Sequence, residues 1–416
     1  MERFYLSSAS SSTMSILVFN AGSSSLKFGL FTDPNCALLV SGALDWVSGD
    51  QHQAMLTLRT AEEIVMQSRT VDVPDDPASV YCALQALAEA RPEGEQTLAG
   101  VQVVGHRVVH GGAEFSQSVL IDGAVKQSIA RWSALAPLYN PQALATISAA
   151  EVALPHARHV AVFDTAFFAH LPPRAHVYPL PYAWYSDWGV CSFGFHGISH
   201  QYCAGRAAEI LRRNSAGLRV INCRLGTGCS AAAIHGNVAV ATTMGFTPLN
   251  GLMMSTRPGS LDPGILPHIE RRHGLTADDL DAALNHGSGL LGVSGVSSDF
   301  FEVERAAEQG NAQARLAVDM FADHIRAAIG ALAVSMGGVD VLVFTDRVGK
   351  KSPPLRAMVC QGLECLGLRL DPLRNAANRP DSNISTTDSP ARILMIHTRE
   401  ELMIAREALK TSQRKA

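Results

Sequence analysis

Three short segments of the sequence combine cationic side chains with glycines or hydroxyls, a combination typical of anion-binding sites. Residues 20–27 (Asn-Ala-Gly-Ser-Ser-Ser-Leu-Lys) follow an apolar run and offer backbone N–H groups, hydroxyls and one ammonium to a phosphate. They lack the GxxxxGK[ST] spacing of a Walker A loop. Residues 105–112 and 244–257 each carry one arginine, Arg107 and Arg257, among glycines and apolar residues. A guanidinium in such a setting suits planar recognition of a carboxylate or phosphate, although a polar hairpin tip and ordinary surface arginines explain each segment alone.

Two further positions could take part in catalysis, and each also has a plainer explanation. Asp164 follows the apolar run 159–163, where ligands of α/β proteins usually bind, yet a lone aspartate there can also cap a helix. His196 and His200 have the i, i+4 spacing that could place two metal ligands on one helix face. Because no acidic or cysteine ligand accompanies them, we favour His196 as a hydrogen-bond donor to an anion. Taken together, these signals predict an anion-handling cleft.

Strands and helices in alternation must position these residues. Apolar runs predict strands at 16–19, 26–31, 101–104, 159–163, 218–223 and 340–344. Helical patterns lie between them at 78–90, 142–154 and 312–333. The alternation indicates an α/β fold. Because each half opens with a strand pair and then alternates, we predict two similar domains around a cleft.

The composition excludes several classes of protein. With 416 residues, 47% hydrophobic and only 17% charged, the chain is not disordered and is long enough for two or three domains of roughly 150 residues. A net charge of −4 offers no basic surface for nucleic acid or an anionic membrane. The longest apolar stretch, 327–339, is too short to span a bilayer and predicts a buried helix. Eight scattered cysteines without a CxxC pair, and no secretory or transit signal, indicate a cytoplasmic protein with reduced thiols.

Seven motifs follow one another from about Met14 to Ala408. They are ILVFNAGSSSLKF, GHRVVHGG, PLYNP, VFDTAF, FGFHGISH, MGFTPLNGLMMSTR and TREELMIAREA. In this order they closely resemble the acetate kinase family of short-chain carboxylate kinases. The resemblance implies an α/β, actin/Hsp70/sugar-kinase-like fold with two RNase H-like domains around a central cleft, and usually a homodimer. It also implies reversible, Mg²⁺-dependent transfer of the ATP γ-phosphoryl group to acetate or propionate, giving acyl phosphate and ADP.

The resemblance assigns catalytic and substrate-binding roles to single residues. Asp164 matches the essential active-site carboxylate, and His196 matches the histidine that acts in the transition state. Arg107 and Arg257 match the arginines that hold the carboxylate and the migrating phosphoryl group. Because a carboxylic acid is already ionised at neutral pH, we expect Asp164 to orient groups or act through Mg²⁺-bound water rather than as a base for the substrate. The pocket for the substrate's methyl group is implied at Val109, Leu138, Phe195 and Pro248, beside Arg107.

The resemblance also implies metal and nucleotide residues and a division into domains. Asn20 and Glu400 match magnesium-associated residues. We expect residues 14–164 plus 398–416 to form the N-terminal domain, and 165–397 the C-terminal domain with the dimer interface and most of the nucleotide site. Residues 1–13 are an extension that we expect to be disordered. The nucleotide-binding residues are expected to be Lys27, Arg224, Gly226, Gly228, Asp299, Phe301, Arg347 and Gly349.

The nucleotide side departs from the family pattern. The family's HLGNG appears as Arg224-Leu-Gly-Thr-Gly228, and its SSDxR has Phe301 in place of arginine. Its GGIGEN appears as Asp-Arg-Val-Gly-Lys-Lys at 346–351, so Asp346 and Arg347 add bulk where glycines would leave room. On the acyl side, Tyr139 stands where the family has histidine in PLHNP.

These changes leave three functions open. The leading one is an ATP-dependent acetate or propionate kinase. The second keeps the reaction class but changes the phosphoryl donor to pyrophosphate or another nucleotide. The third is a catalytically silent paralogue that binds carboxylates or acyl phosphates. Under the first two, a rebuilt basic pocket could hold the donor, formed by Arg224, Arg347, Lys350 and Lys351.

Overall fold

A computed structural model of the chain describes residues 15–22, 24–47, 52–90 and 98–414. The predicted disorder of residues 1–13 lies outside the described residues. The chain divides into two compact units. The first unit contains the residues up to Gly111, Gln117–Phe163 and the chain from Glu401 onward, and the second contains Gly112–Ser116 and Asp164–Glu400.

Each unit is built on one β-sheet. The strands of the first unit are β1 (Ser15–Ala21), β2 (Ser25–Thr32), β3 (Ala37–Trp46), β4 (Gln53–Thr60), β5 (Val65–Asp72), β6 (Val101–Val108), β7 (Val119–Leu120) and β8 (Arg158–Phe163). Those of the second unit are β9 (Arg219–Leu225), β10 (Cys229–His235), β11 (Val238–Thr242), β12 (Val341–Thr345), β13 (Ser382–Asn383) and β14 (Arg392–Met395).

Helices connect and cover these strands. The first unit contains α1 (Asp76–Glu89), α2 (Gly123–Trp132) and α3 (Asn140–Ala153). The second contains α4 (Pro173–His176), α5 (Tyr182–Ser186), α6 (Gly197–Leu211), α7 (Ile265–His273), α8 (Ala277–His286), α9 (Gly289–Ser294), α10 (Phe300–Glu308), α11 (Ala312–Ser335), α12 (Asp346–Lys351), α13 (Pro353–Cys360) and α14 (Pro372–Ala377). Helix α15 (Glu400–Ser412) begins at the last residue of the second unit and continues in the first.

The two sheets share one strand order. The first sheet runs β5-β4-β3-β2-β1-β6-β8-β7, and the second runs β11-β10-β9-β12-β14-β13. In the first, β1 pairs with β2 and β2 with β3 antiparallel, whereas β1, β6 and β8 are parallel. In the second, β9, β10 and β11 are antiparallel, whereas β9, β12 and β14 are parallel. Each unit therefore has the five-strand order 3-2-1-4-5 of an RNase H-like domain, which confirms the predicted α/β fold.

Continuous apolar runs explain why the central strands form. All residues of β1 and β12 are buried, as expected for strands covered on both faces of a sheet. In the first unit, Leu17 and Phe19 of β1 share a hydrophobic core with Ala83 of α1 and Ala150 of α3. The six strands and three helices predicted from the sequence all coincide with elements of the structure, with ends shifted by a few residues.

The prediction of a buried helix over 327–339 is confirmed only in part, since residues 327–335 are helical and only some of them are buried. Helix α11 begins at Ala312 and ends at Ser335, so it does not reach the end of the apolar stretch. Only one face of its last turns is buried: Ile329 and Leu332 lie inside, whereas Val334 is 78% exposed. Within the described part of the chain, no helix has the length and apolar character needed to cross a membrane.

Helix α15 packs on the first sheet at a glycine of β6. A Cβ atom on Gly105 would lie 2.8 Å from Cγ2 of Ile404 and 3.0 Å from Cβ of Ala408. At the far end of the helix, the guanidinium of Arg158 donates a hydrogen bond to the carbonyl of Ser412. The close approach requires glycine at position 105 and joins the end of the chain to the first unit.

Candidate active site

In the first unit, the parallel strands β1 and β6 place Asn20 and Arg107 side by side. Nη1 of Arg107 donates to the carbonyl of Ala21 at 3.2 Å and to Oδ1 of Asn20 at 3.4 Å. The amide of Asn20 in turn donates to Oε1 of Glu401 at 2.9 Å. Asn20 is only 5% exposed, so these contacts hold its side chain in one geometry. The partner carboxylate, Glu401, was not among the residues expected from the sequence.

Lys27 lies on a strand, within the run 26–31 that the sequence predicts to form one. It belongs to β2 and is paired in register with Asn20 of β1. Its side chain is exposed and points to the face opposite its buried neighbours Leu26 and Phe28.

A buried asparagine shapes the loop that follows β6. Oδ1 of Asn140 accepts from the backbone N–H of His110 at 3.1 Å, and its amide donates to the carbonyl of His110 at 3.0 Å. Val109 in this loop is buried at 4% exposure, whereas Leu138 is 46% exposed. Burial also lowers the pKa of His110 to about 4, so its imidazole is neutral at physiological pH. Of the two residues of this unit that were expected in the methyl pocket, Val109 is therefore buried and Leu138 is exposed.

In the second unit, Asp164 lies at the N-terminus of helix α6. Its carboxylate accepts from the backbone N–H of Ile198 at 3.4 Å and is only 2% exposed. The positive end of the helix dipole favours a carboxylate here. Gly197 makes the approach possible, because a Cβ atom at that position would stand 2.0 Å from the carbonyl oxygen of Asp164.

The two histidines of FGFHGISH converge on one hydroxyl. Nδ1 of His196 and Nε2 of His200 each lie 2.8 Å from Oγ of Ser230 on β10. The other ring nitrogen of His200, Nδ1, lies 2.8 Å from the amide nitrogen of Asn222 on β9. Burial, with a smaller effect of the Arg224 charge, lowers the pKa of His200 to about 3. The i, i+4 spacing therefore serves a hydrogen-bond network, and no cluster of three His, Cys, Asp or Glu residues suited to a metal occurs among the described residues.

Two arginines lie close to His196 around the turn between β9 and β10. A Cβ atom on Gly228 would lie 3.0 Å from Nη2 of Arg257 and 3.5 Å from Nε2 of His196. Arg257 is fixed by donating to the carbonyl of Pro248 at 2.9 Å. Nη1 of Arg224 lies 3.4 Å from Nε2 of His196. This turn therefore brings two guanidinium groups and an imidazole together, and Phe195, buried at 1% exposure, precedes His196 in the chain.

Arg224 forms ion pairs with two carboxylates. Nη2 of Arg224 lies 3.1 Å from Oδ2 of Asp346, and Nε lies 3.5 Å from Oε1 of Glu400. Burial alone would lower the pKa of Arg224, but the charges of Asp346 and Glu400 outweigh burial and raise it. Asp346 has a left-handed backbone, with φ of 65°, and its carboxylate lies over Gly226, where a Cβ atom would be 2.2 Å away. The two residues that depart from the family pattern here thus form a pair.

Two further residues that differ from the family pattern, Phe301 and Arg347, are also in contact. The guanidinium of Arg347 lies 4.9 Å from the centre of the Phe301 ring and forms an ion pair with Asp299. Burial alone would raise the pKa of Asp299, but its contacts with Arg347 lower it overall. Although the family's arginine is missing at position 301, Arg347 of helix α12 supplies a guanidinium to Asp299.

A buried arginine fixes the segment that replaces GGIGEN. Nη1 of Arg356, which is fully buried, donates to the carbonyls of Gly349 and Lys350 at 2.8 and 2.7 Å. Nε of Arg356 also donates to Oδ1 of Asn375 at 2.7 Å. Nζ of Lys350 lies 2.9 Å from Nδ1 of His397, and Lys351 is exposed.

Each unit thus gathers part of the expected set. The first unit brings Asn20 and Arg107 together, and the second brings His196, Arg224 and Arg257 together. Arg224 and Arg347 belong to separate ion pairs rather than to one basic cluster. The sequence analysis did not single out several polar residues that hold this set in place, namely Asn222, Ser230, Arg356 and Glu401.

Known proteins resemble this chain over nearly its whole length. The Acetokinase family profile matches residues 15–406. The chain belongs to the acetokinase family. The acetate kinase of Trichormus variabilis is 47% identical over 407 residues, covering 95% of this chain and 98% of that protein. The acetate kinase of Geobacillus kaustophilus is 43% identical over 395 residues, covering 95% of this chain and 98% of that protein.

Solved structures support the same assignment. The acetate kinase of Porphyromonas gingivalis is 38% identical, with a TM-score of 0.86 and coverage of 96% of this chain and 100% of that chain. The propionate kinase of Francisella tularensis is 33% identical, with a TM-score of 0.86 and coverage of 95% and 99%. The resemblance stated from the motifs is confirmed. The protein is a carboxyl-group phosphotransferase, and ATP as co-substrate is consistent with its family.

Proposed function

We propose that this protein transfers the γ-phosphoryl group of ATP to acetate or propionate, giving an acyl phosphate and ADP. The observation that carries this proposal is the convergence of Arg257, Arg224 and His196 around the Gly228 turn. In-line phosphoryl transfer between two anions requires charge neutralisation and alignment, with little covalent chemistry from the protein. Arg257 supplies positive charge there, and Arg224, whose own charge is balanced by Asp346 and Glu400, adds N–H donors beside the imidazole.

The other catalytic roles follow from the chemistry of each side chain. Arg257 would hold the migrating phosphoryl group, and Arg107 the carboxylate of the acid. Asp164, buried and held by a helix N-terminus, would orient groups at the reacting centre, since the acid needs no base at neutral pH. Val109, Leu138, Phe195 and Pro248 would contact the methyl group of the acid, as the resemblance to the family implies.

We also propose residues for magnesium and the nucleotide. Asn20 and Glu400 each offer an oxygen ligand of the kind that Mg²⁺ prefers, and this ion usually keeps several waters, so it needs no cage of three protein carboxylates. When bound, Mg²⁺ would neutralise charge on the donor phosphates. The nucleotide would lie on the Gly226–Gly228 turn and on the segments that contain Asp299, Phe301, Arg347 and Gly349, with Lys27 as a further phosphate contact.

Further features of the proposal concern assembly and location. We propose a homodimer in the cytoplasm, with domains at residues 14–164 plus 398–416 and at 165–397. The eight cysteines support a reducing compartment, because the described structure has them all as free thiols.

Two alternatives from the sequence carry less support than the ATP-dependent kinase. The relatives named acetate kinase and propionate kinase favour the kinase over a silent paralogue. A changed phosphoryl donor would call for a rebuilt basic pocket, yet the charges of Arg224 and Arg347 are balanced by Asp346, Glu400 and Asp299. We therefore retain ATP as the donor.

Trapping of acyl phosphate with hydroxylamine tests this proposal. The purified protein is incubated with Mg-ATP and acetate, propionate or butyrate, and in parallel with pyrophosphate as donor. We expect hydroxamate from acetate and propionate with ATP, and its loss in Arg107→Ala and Arg257→Ala. Arg369→Ala serves as a matched control, because this arginine forms an exposed pair with Asp388. No hydroxamate with ATP from folded protein, or hydroxamate with pyrophosphate only, would contradict the proposal.

A further inference from the structure

The side-chain amides of Asn140 and Gln142, in the first turn of helix α3, hold nearby backbone segments of the first unit. Asn140 belongs to the PLYNP motif and begins the helix, and Gln142 follows two residues later. Asn140 has no exposed surface, and Gln142 is half-buried. Both amides bond backbone groups that lie outside the helix. The start of α3 therefore fixes the segments that surround it.

Gln142 joins the end of strand β1 to the segment that precedes α3. Its amide nitrogen donates to the carbonyl of Gly22 at 3.0 Å and to the carbonyl of Leu138 at 3.1 Å. These two carbonyls fix the orientation of the amide, because an amide oxygen in the same place would face two acceptors. One side chain thus sets the separation of two segments that are distant in sequence.

The carbonyl of Gly22 that Gln142 holds lies next to the carbonyl that anchors Arg107. Nη1 of Arg107 donates to the carbonyl of Ala21 at 3.2 Å, and Gln142 holds the carbonyl of the following residue. A backbone held at two successive carbonyls cannot rotate about the dihedrals between them without breaking one of the two hydrogen bonds. The guanidinium of Arg107 therefore rests on a backbone that Gln142 keeps in place.

Asn140 holds the segment that follows Arg107 in the chain. Its Oδ1 accepts from the backbone N–H of His110 at 3.1 Å, and its amide nitrogen donates to the carbonyls of His110 at 3.0 Å and of Ile129 at 3.3 Å. Val109 directly precedes His110, so its backbone is fixed relative to helix α2, which contains Ile129.

We infer that Gln142 and Asn140 are positioning residues for the acid, because together they fix the backbone around Arg107, Val109 and Leu138. This inference rests on the proposed function, in which Arg107 holds the carboxylate of the acid and the two apolar residues contact its methyl group. A guanidinium at a fixed separation from apolar side chains favours an acid of one length. A small displacement of either part weakens binding and lowers the rate.

The first experiment measures the binding of acetate without turnover. Saturation-transfer NMR on the methyl protons of acetate gives its Kd for the wild-type protein and for Gln142→Met, whose side chain has a similar length but no N–H. We expect Kd to rise about three- to tenfold, the effect of one lost hydrogen bond. Gln85→Met is the matched control, because the amide of Gln85, on helix α1 of the same unit, donates to Glu89. An unchanged Kd in Gln142→Met, or an equal rise in Gln85→Met, would overturn the inference.

The second experiment separates positioning from a merely structural role. Hydroxamate formation is measured with acetate, propionate and butyrate in Gln142→Met and in Gln142→Glu, which keeps the shape of the side chain but has no donor at neutral pH. We expect KM for the acid to rise and KM for Mg-ATP to change little, and the preference for acetate over butyrate in kcat/KM to fall. A structural role would lower kcat by one factor for every acid. Unchanged KM and unchanged preference in both variants would contradict the inference.

Asn140→Asp tests the second amide. It keeps an acceptor for the N–H of His110 and loses the donor to the carbonyls of His110 and Ile129, so KM for the acid should rise here as well. Because Asn140 is fully buried, its melting temperature is measured first, and the half-buried Gln142 decides the outcome if Asn140→Asp does not fold. A wild-type protein that binds acetate but forms no hydroxamate would contradict the proposed function alone, and the Kd values would still decide the inference. A wild-type protein that does not bind acetate would overturn both.

Discussion

Replacing Asp346 with asparagine should strengthen the binding of the phosphoryl donor. The carboxylate of Asp346 lies over the Gly226 turn and pairs with Arg224, so it holds an anion on the guanidinium that a donor phosphate would need. An asparagine at this position would keep the shape of the side chain and tolerate the φ of 65°. It would also remove the negative charge and the ion pair. A donor phosphate could then bind the Arg224 guanidinium without competing with the Asp346 carboxylate.

The magnitude follows from the geometry of the pair. Two unit charges about 4 Å apart near a protein surface interact by about 4 kcal/mol at an effective dielectric constant of 20. The Arg224 and Asp346 side chains are 16% and 26% exposed, and Arg224 also faces Glu400, so screening and sharing reduce the net value. We expect a gain of about 1.4 kcal/mol in donor binding, which is about tenfold in Kd.

Isothermal titration calorimetry with Mg-ADP, which does not turn over alone, measures this gain. Adenosine is titrated in parallel, and its affinity should not change because it has no phosphate. Asp340→Asn is the matched control. Asp340 also pairs with an arginine, Arg219, but this pair lies where strands β9 and β12 begin, whereas Arg224 and Asp346 lie where the two strands end. Asp340→Asn should leave the affinity for Mg-ADP unchanged.

The same substitution in an Arg224→His variant separates two explanations of the gain. One is that Arg224 is released from its ion pair with Asp346, and the other is that the Asp346 carboxylate no longer repels the donor phosphate. In Arg224→His, which restores the family's residue, Asp346→Asn should give little further gain, because no guanidinium remains to be freed. Weaker binding of Mg-ADP by Asp346→Asn would show that the carboxylate supports Arg224 instead of competing with the donor. An equal gain in both backgrounds, or in Asp340→Asn, would also refute the reasoning.

Three further predictions concern stability and the approach of helix α6. Gly197→Ala should abolish hydroxamate formation and lower the melting temperature, because its Cβ would stand 2.0 Å from the carbonyl oxygen of Asp164; Gly205→Ala, where a Cβ meets nothing within 4 Å, should do neither. Arg356→Met should lower the free energy of unfolding in urea by about 3–5 kcal/mol, because it leaves buried carbonyls without donors; a loss below about 1 kcal/mol would contradict this. Acid should destabilise the protein below about pH 6.5. In the unfolded chain a histidine takes up a proton near that pH, whereas burial lowers the pKa of His110 in the folded protein to about 4, so the unfolded state binds the proton first. Melting temperatures should therefore be level above that pH and fall from 6.5 towards 4, and the fall should be shallower in His110→Gln.

The sequence predicted elements that depend on local pattern. The runs 16–19 and 340–344 became central strands because a continuous apolar segment is stable where both faces of a sheet are covered. For the apolar stretch 327–339, composition alone predicted burial along its whole length. In the structure only one face of helix α11 packs against the core there. Lys27 falls within the predicted strand 26–31, and the structure pairs it with Asn20 of β1.

Contacts between distant parts of the chain could not be predicted from the sequence. Arg224 and Asp346 read as two separate departures from the family pattern, and only the parallel pairing of β9 with β12 brings them together. Ser230 lies between cysteine and alanine in β10, where a serine carries no signal of its own, yet it contacts both histidines of the FGFHGISH segment. The resemblance to the family identified the functional residues and their roles. The hydrogen bonds that hold their side chains in place could be seen only in the structure.

The return of helix α15 to the first unit has a consequence for synthesis of the protein. The second unit is almost continuous in sequence, from Asp164 to Glu400, so all of it has been translated before the helix is complete. The first unit begins earlier but lacks Ile404 and Ala408, which cover Gly105, until those residues leave the ribosome. During translation the unit made first is therefore finished last, and its sheet stays open to chaperones or to stray contacts along the face that α15 will cover.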